Sequence, residues 1–328
     1  MNEDNISFCN LHTIKSLLNK DDIIIITDEN IVKFYPDFFS DIIEKCIIIS
    51  DKSFESFQKT ITELVKRQAY KNTILYGIGG GEVTDFTGFI ASIYMRGIQF
   101  NFVPTTLLAM VDAAIGGKNA INFAGIKNIL GLINDAKNIY ISTSFLDTLP
   151  QKEMKNGFVE IIKIALLKDK KLLLKTFEYI KSNLNNKELL KEIIRDSISL
   201  KMQIVNEDKF DKGKRNILNF GHTIGHALET TYNITHGEAV LCGMYYESKI
   251  AEKIGLIDNR TFGEIDYYLR VFSEDFEKYE IKNCIEKIYF DKKNISGFIN
   301  FPYVNSVGLG DLQKIDTVKF IDAISDII

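Results

Sequence analysis

The sequence has no basic excess, no long apolar run, no paired cysteines and almost no proline in its second half, and each lack removes a class of protein. Its 40 Lys and Arg stand against 44 Asp and Glu, a net charge of −4. Domains that bind nucleic acid or anionic membranes normally carry the opposite excess, so neither is expected as a partner, and an anionic ligand must meet a local basic cluster. The longest apolar runs, such as Ile23-Ile24-Ile25-Ile26 after Asp22, are too short to cross a bilayer. Met1 leads straight into Asn2, Glu3 and Asp4, and a cytoplasmic location is expected. Cys9, Cys46, Cys242 and Cys284 form no CxxC pair and read as buried thiols rather than as disulfides or a metal knuckle. With 45% hydrophobic and 26% charged residues, the composition excludes a disordered chain.

A length of 328 residues exceeds what one hydrophobic core usually supports, so two domains are expected. In the first half, short β-branched runs alternate with helical patterns: Ile23 to Thr27, Cys46 to Ser50, Thr73 to Tyr76, and Phe100 to Val103. Continuous apolar strands separated by helix-length segments indicate a parallel sheet covered on both faces. Past Pro150 the next proline is Pro302, and helical periodicity takes over in Glu153 to Lys168, Lys187 to Val205, Asn219 to Thr230 and Glu238 to Ile254. A strand-like pair follows at Gly297 to Phe301 and Val304 to Leu309. The fold class expected is α/β, with a Rossmann-like parallel-sheet domain over residues 1–151 and a mainly α-helical domain over residues 152–328. No Gly/Ser linker divides them, so close packing around a shared cleft is expected.

After the strand ending near Ile78 comes Gly79-Gly80-Gly81-Glu82-Val83-Thr84-Asp85, then a helical pattern. Glycines at the carboxyl end of a parallel strand let backbone N–H groups approach a pyrophosphate, with the helix N-terminus adding favourable charge. The spacing is not GxGxxG, and a tight turn without a ligand fits as well. Asp28, ending the first strand, suits either a ribose or a helix N-cap.

Three of the four histidines, His222, His226 and His236, fall within fifteen positions. His222 and His226, spaced i, i+4, share one helix face, and His236 opens the next helical run. Converging imidazoles are typical zinc ligands, and a carboxylate completes a site with an open position. Glu160 is the candidate, since an acid among Phe158, Val159, Ile161 and Ile162 is costly to bury unpaired. Satisfied core histidines are the alternative. Lys163 follows Glu160 on the same helix face, and Arg215 and Asn219 shortly precede His222. Asp112, Lys118, Lys127 and Asn128 occupy a glycine-rich, otherwise apolar stretch. Each lysine alone reads as a solvated residue; as a set they suit an anion carrying phosphate or carboxylate.

In order along the chain, Tyr94-Met95-Arg96-Gly97, Val103-Pro104-Thr105-Thr106-Leu107-Leu108-Ala109, Gly116-Gly117-Lys118, Lys127-Asn128, Leu218-Asn219-Phe220-Gly221-His222 and His236-Gly237-Glu238-Ala239 resemble the 3-dehydroquinate synthases, sugar-phosphate cyclases, over about Asp28 to Lys293. The resemblance implies conversion of 3-deoxy-D-arabino-heptulosonate 7-phosphate to 3-dehydroquinate and phosphate, in the shikimate pathway of aromatic amino acid biosynthesis. NAD-dependent oxidation, phosphate elimination, re-reduction and an intramolecular aldol are the implied steps. It further implies that Glu160, His222 and His236 hold Zn2+ or Co2+, and that His226 handles protons rather than binding metal. Asp28, Gly79, Gly80, Gly81, Asp85, Thr105 and Thr106, with Lys118 and Lys127, match the NAD site. Asp112, Lys118, Lys127, Asn128, Lys163, Lys201, Arg215, Asn219 and Lys292 (or Lys293) match positions that contact an anionic sugar phosphate. Arg96 matches an arginine that reaches a partner's phosphate site, which implies a homodimer.

The chain departs from the family pattern in several places. The segment before the glycine turn is shortened to Ser50-Asp51-Lys52-Ser53, Ala113-Ala114 stands where many members have serines, and Asp211 stands where glutamate is common. Three rivals remain at this point: a sister cyclase acting on sedoheptulose 7-phosphate or glucose 6-phosphate, a polyol dehydrogenase, and a silent NAD- and metal-binding regulator. The intact Gly116-Gly117-Lys118 favours the dehydroquinate branch.

Overall fold

The structure, a computed structural model, describes residues 3–182, 186–273, 275–284, 287–288 and 297–327, in two units, Met1–Gly157 and Phe158–Ile328. In the first unit the isoleucine-rich segments form strands because β-branched side chains suit a pleated surface covered on both sides. Its elements run β1 (Ile6–Phe8), α1 (Leu11–Leu18), β2 (Ile23–Asp28), α2 (Glu29–Phe34), α3 (Pro36–Phe39), β3 (Cys46–Ile49), α4 (Phe54–Lys66), β4 (Ile74–Gly79), α5 (Gly81–Ile93), β5 (Phe100–Pro104), β6 (Lys118–Phe123), β7 (Ile126–Ile133) and β8 (Asn138–Ile141). Six of these strands make one parallel sheet in the order β1-β8-β5-β4-β2-β3. This is the expected Rossmann-like arrangement, with Ile25, Ile26, Leu75, Ile78 and Val103 wholly buried. The strands β6 and β7 form a separate antiparallel hairpin.

The second unit is mainly helical, as the periodicity indicates. Helix α6 (Gln151–Lys168) begins in the first unit and continues into the second, followed by α7 (Lys170–Lys181), α8 (Lys187–Glu207), α9 (His222–Tyr232), α10 (His236–Lys253) and α11 (Asn259–Leu269). An antiparallel ribbon, β9 (Phe298–Ser306) and β10 (Leu309–Asp316), precedes α12 (Thr317–Ser325). Two boundaries differ from the sequence reading. The helix expected from Asn219 starts at His222, because Phe220 closes the preceding 3-10 turn and the left-handed Gly221 (φ 80) interrupts the helical backbone before the new helix begins. The late strand pair falls elsewhere: β9 runs through Pro302, and the reversal comes at Gly308 (φ 91). Proline is tolerated there because each strand of a two-stranded ribbon is an edge. Among the described residues no helix is long and apolar enough to cross a membrane.

Helix α5 lies against β6 so closely that a Cβ on Gly88 would run into the Asn119 amide. That amide cannot retreat, since it is buried and donates to Gly117 O and Asn134 O, both at 2.8 Å. Gly88→Ala is therefore expected to cost about 1–3 kcal/mol by overpacking. A lowered urea midpoint at constant slope would bear this out, and an unchanged midpoint would contradict the packing.

Candidate functional site

Three neighbouring strands of the parallel sheet, β5, β4 and β2, end in residues singled out for a dinucleotide, and ligands of open α/β sheets bind at such carboxyl ends. At β4, Gly80 is the N-cap of α5 and offers no side-chain cap to the first-turn N–H groups. The turn is also crowded: a Cβ on Gly80 would lie 3.2 Å from Thr106 Cγ2, and one on Gly81 would lie 3.1 Å from Ala113 Cβ. Glycines here keep uncapped donors at an open helix N-terminus, the chemistry that a pyrophosphate needs. Thr105, buried beyond β5, donates its N–H to Gly79 O at 2.9 Å. Asp28 caps α2, its Oδ1 accepting from Asn30 N and Ile31 N at 2.9 and 3.2 Å. Its other oxygen faces Gly79, so the cap leaves one oxygen directed at the turn.

Asp85 and Asn128 meet on Lys52, a residue of the shortened segment to which the sequence assigned no role of its own. Lys52, 7% exposed, donates from Nζ to Asp85 Oδ2 and to Asn128 Oδ1, both at 2.6 Å. Asn128 is left-handed (φ 57), and the Lys52 carbonyl accepts from Asn122 N at 2.8 Å, which ties the hairpin to the shortened segment. The available signal was positional, a lysine just past a parallel strand at the sheet's ligand-binding edge. Lys118 and Lys127 stand exposed at the start of β6 and on β7, and Asp112 is half-buried in the π-helical turn Ala109–Ala113. Arg96 is exposed on a turn where Met95 (φ 49), Arg96 (φ 62) and Gly97 (φ 98) are all left-handed. Lys71 Nζ holds that turn through Met95 O at 3.2 Å and Gly97 O.

In the second unit Glu160, His222 and His236 converge, with one ligand atom from each lying within 4.8 Å of the others. Glu160 is 3% exposed on α6; its Oε1 is 3.3 Å from His236 Nε2 and 3.7 Å from His222 Nε2. Lys163, one turn on, forms an ion pair with Oε2. The backbone carbonyl of Phe220 lies 3.2 Å from His222 Nδ1, so Nδ1–H donates to it and the Nε2 lone pair faces Glu160. On its far side His236 Nδ1 is 3.5 Å from Glu229 Oε2, a second carboxylate absent from the sequence reading. His226 stacks edge-on to His222, ring centroids 5.3 Å apart, and is exposed, outside the group of three.

Electrostatics divide the three groups. Burial pushes the Glu160 carboxyl up, but the Lys163 ammonium and the His236 hydrogen bond outweigh it and hold it well below the usual carboxylate range. Burial and the Lys163 charge push His222 down to about 3, keeping it neutral. Burial would also lower His236, yet its hydrogen bonds to Glu160 and Glu229 raise it to about 9. An ionised carboxylate, a neutral imidazole and a second imidazole whose Nε2 proton a metal would displace make a donor set that suits Zn2+ or Co2+ with positions left open. Lys163, Lys201 and Arg215 are all buried cations of this unit, with Arg215 Nη1 donating to Lys209 O at 3.1 Å. Asn219 ends the 3-10 turn Lys214–Asn219 half-buried. Lys292 and Lys293 lie outside the described residues.

Residues 49–156 match the family model described as 3-dehydroquinate synthase N-terminal, and residues 157–294 match that described as 3-dehydroquinate synthase C-terminal. The chain is 37% identical over 319 residues to a 3-dehydroquinate synthase of Alkaliphilus metalliredigens, spanning 92% of this chain and 88% of that one. Its fold is similar to that of a 2-epi-5-epi-valiolone synthase from Streptomyces hygroscopicus subsp. jinggangensis 5008 with NAD+ and Zn2+ bound. There the TM-score is 0.85 and the identity 22%, over 98% of this chain and 95% of the other. A 2-deoxy-scyllo-inosose synthase complexed with carbaglucose-6-phosphate, NAD+ and Co2+ gives a TM-score of 0.80 at 23% identity, over 98% and 96%.

Replacing Lys52 by Met removes the ammonium shared by Asp85 and Asn128. Charged hydrogen bonds of this kind are worth about 2 kcal/mol, so Lys52→Met is expected to lose about that much unfolding free energy, with Lys52→Arg between it and wild type. Urea denaturation reads the difference; equal stability of Lys52→Met and wild type would contradict the bridge.

Proposed function

The chain belongs to the 3-dehydroquinate synthase family, and from that premise we propose that it converts 3-deoxy-D-arabino-heptulosonate 7-phosphate to 3-dehydroquinate and inorganic phosphate, as a phosphate-eliminating lyase that uses NAD and a divalent metal. The observation that carries the metal assignment is the convergence of Glu160, His222 and His236 around one point, with both imidazole Nε2 atoms turned toward the same buried carboxylate oxygen. These three residues hold the metal. Asp28, Gly79, Gly80, Gly81, Asp85, Thr105 and Thr106, with Lys118 and Lys127, hold NAD; the uncapped N-terminus of α5 supports this role. Solved relatives of the same fold contain NAD+ with Zn2+ or Co2+.

When bound, the metal supplies Lewis-acid charge that lowers the pKa of a substrate hydroxyl, and NAD supplies a hydride acceptor that later returns the hydride. The protein's own contribution is electrostatic and positional. Lys163 keeps Glu160 ionised. Phe220 O fixes the tautomer of His222, and Glu229 orients His236. Lys163, Lys201, Arg215, Asn219 and one lysine of the 292–293 pair, with Asp112, Lys118, Lys127 and Asn128, orient the carboxylate and phosphate of an open-chain sugar acid. Holding both ends of such a chain promotes the intramolecular aldol that closes the ring. His226, exposed beside His222, moves protons. Arg96, on its turn of left-handed residues, serves the phosphate site of a second copy in a homodimer. Left-handed backbone at non-glycine residues is costly and is kept where function requires it.

Incubation with the heptulosonate phosphate, NAD and Zn2+ or Co2+ is expected to release phosphate in step with dehydroquinate, with no net NADH. Sedoheptulose 7-phosphate and glucose 6-phosphate should release little. Phosphate release from one of those two alone would assign a sister cyclase, and accumulating NADH would assign a dehydrogenase.

A further inference from the structure

Glu247 lies on α10, eleven positions after His236, and is wholly buried. Its carboxylate reaches α9: Oε2 accepts from Gly221 N at 2.7 Å and Oε1 accepts from Ile224 N at 3.1 Å. Gly221 is the N-cap of α9 and supplies no side-chain cap of its own, while Ile224 is the third residue of the helix. In a capping box two side chains of one helix satisfy the N-cap and N3 amides reciprocally. Here a single carboxylate from another helix does both. Close backbone approach makes the bridge possible: Gly221 is left-handed, and a Cβ on Gly243 would overlap the Gly221 carbonyl. A buried carboxylate is costly to desolvate, and backbone amides at a helix N-terminus offset that cost in part. Apolar packing would join two helices more stably. What the carboxylate adds is a fixed registration between His222, the first residue of α9, and His236, the first residue of α10.

We infer that Glu247 is a positioning residue for the metal centre, locking the helix that carries His222 to the helix that carries His236 so that both imidazoles face Glu160. This inference rests on the metal reading of Glu160, His222 and His236. The test is cobalt titration of metal-free protein by chelator competition and by the visible absorption of bound Co2+. Wild type, Glu247→Gln, Ser248→Ala and His222→Ala are compared, with thermal denaturation of each metal-free form. Ser248 is also buried on α10, but its hydroxyl donates within the helix to Met244 O, so Ser248→Ala controls for general loosening of the helix.

Glu247→Gln is expected to bind Co2+ about 10–100-fold more weakly, the usual effect of losing a group behind a metal ligand, with an altered absorption band. Ser248→Ala should retain the wild-type constant. Wild-type affinity in Glu247→Gln, or an equal loss in Ser248→Ala, would overturn the inference while leaving the metal site in place. If wild type itself binds no Co2+, or His222→Ala binds it as tightly as wild type, the metal reading fails instead. Should Glu247→Gln not fold, Glu247→Asp, which retracts the charge by one methylene, goes into the same titration, and wild-type affinity there overturns the inference equally.

Discussion

A carboxylate buried among apolar side chains organises the second unit. Glu160 sits on α6 between Val159 and Ile161, both without exposure, where an ionised group is expensive unless it is paired. Lys163 answers one oxygen and the two imidazoles approach the other. The ammonium keeps the acid ionised and at the same time pushes His222 toward neutrality. One cation thereby prepares two of the three groups proposed to hold a metal, and this explains a lysine that is itself 3% exposed.

The first unit solves a parallel problem by a different route. An anionic cofactor must be met without a large excess of basic side chains, and the net charge of −4 leaves none to spare. In the proposed function, backbone amides at the N-terminus of α5 meet that need, where glycines leave the first-turn donors uncapped. The buried Lys52 neutralises Asp85 behind the turn and fastens the β6–β7 hairpin, whose lysines face outward. In both units a lysine acts by fixing an acid in place. The same economy recurs where Glu247 joins α9 to α10.

Much of this was legible in the residues, for identifiable reasons. The strands β2 to β5 stood out because a parallel strand is apolar on both faces and needs no partner to be recognised. β1 and β8 did not, being short strands of three and four residues whose pairing joins distant parts of the chain. The β6–β7 hairpin escaped because its exposed face carries Phe123, Ile126 and Ile129, which blur the alternation of a half-buried strand. Glu160 could be read from its apolar surroundings and the histidines from their clustering, both local signals. Lys52 could not, since its partners lie 33 and 76 residues away and only the fold brings them together. Glu229 and Glu247 were equally hidden, because acids on helices are common and their partners are set by how α9 and α10 pack. The i, i+4 spacing of His222 and His226 points to two ligands on one helix, whereas the group of three contains His222 and excludes His226.

The most direct test is anomalous diffraction from crystals grown with Co2+ or Zn2+, recorded on both sides of the metal's absorption edge. A single strong peak within bonding distance of a Glu160 carboxylate oxygen, His222 Nε2 and His236 Nε2 is the predicted result. A peak coordinated by other residues, or none in a crystal whose protein carries one metal per chain, would contradict the account.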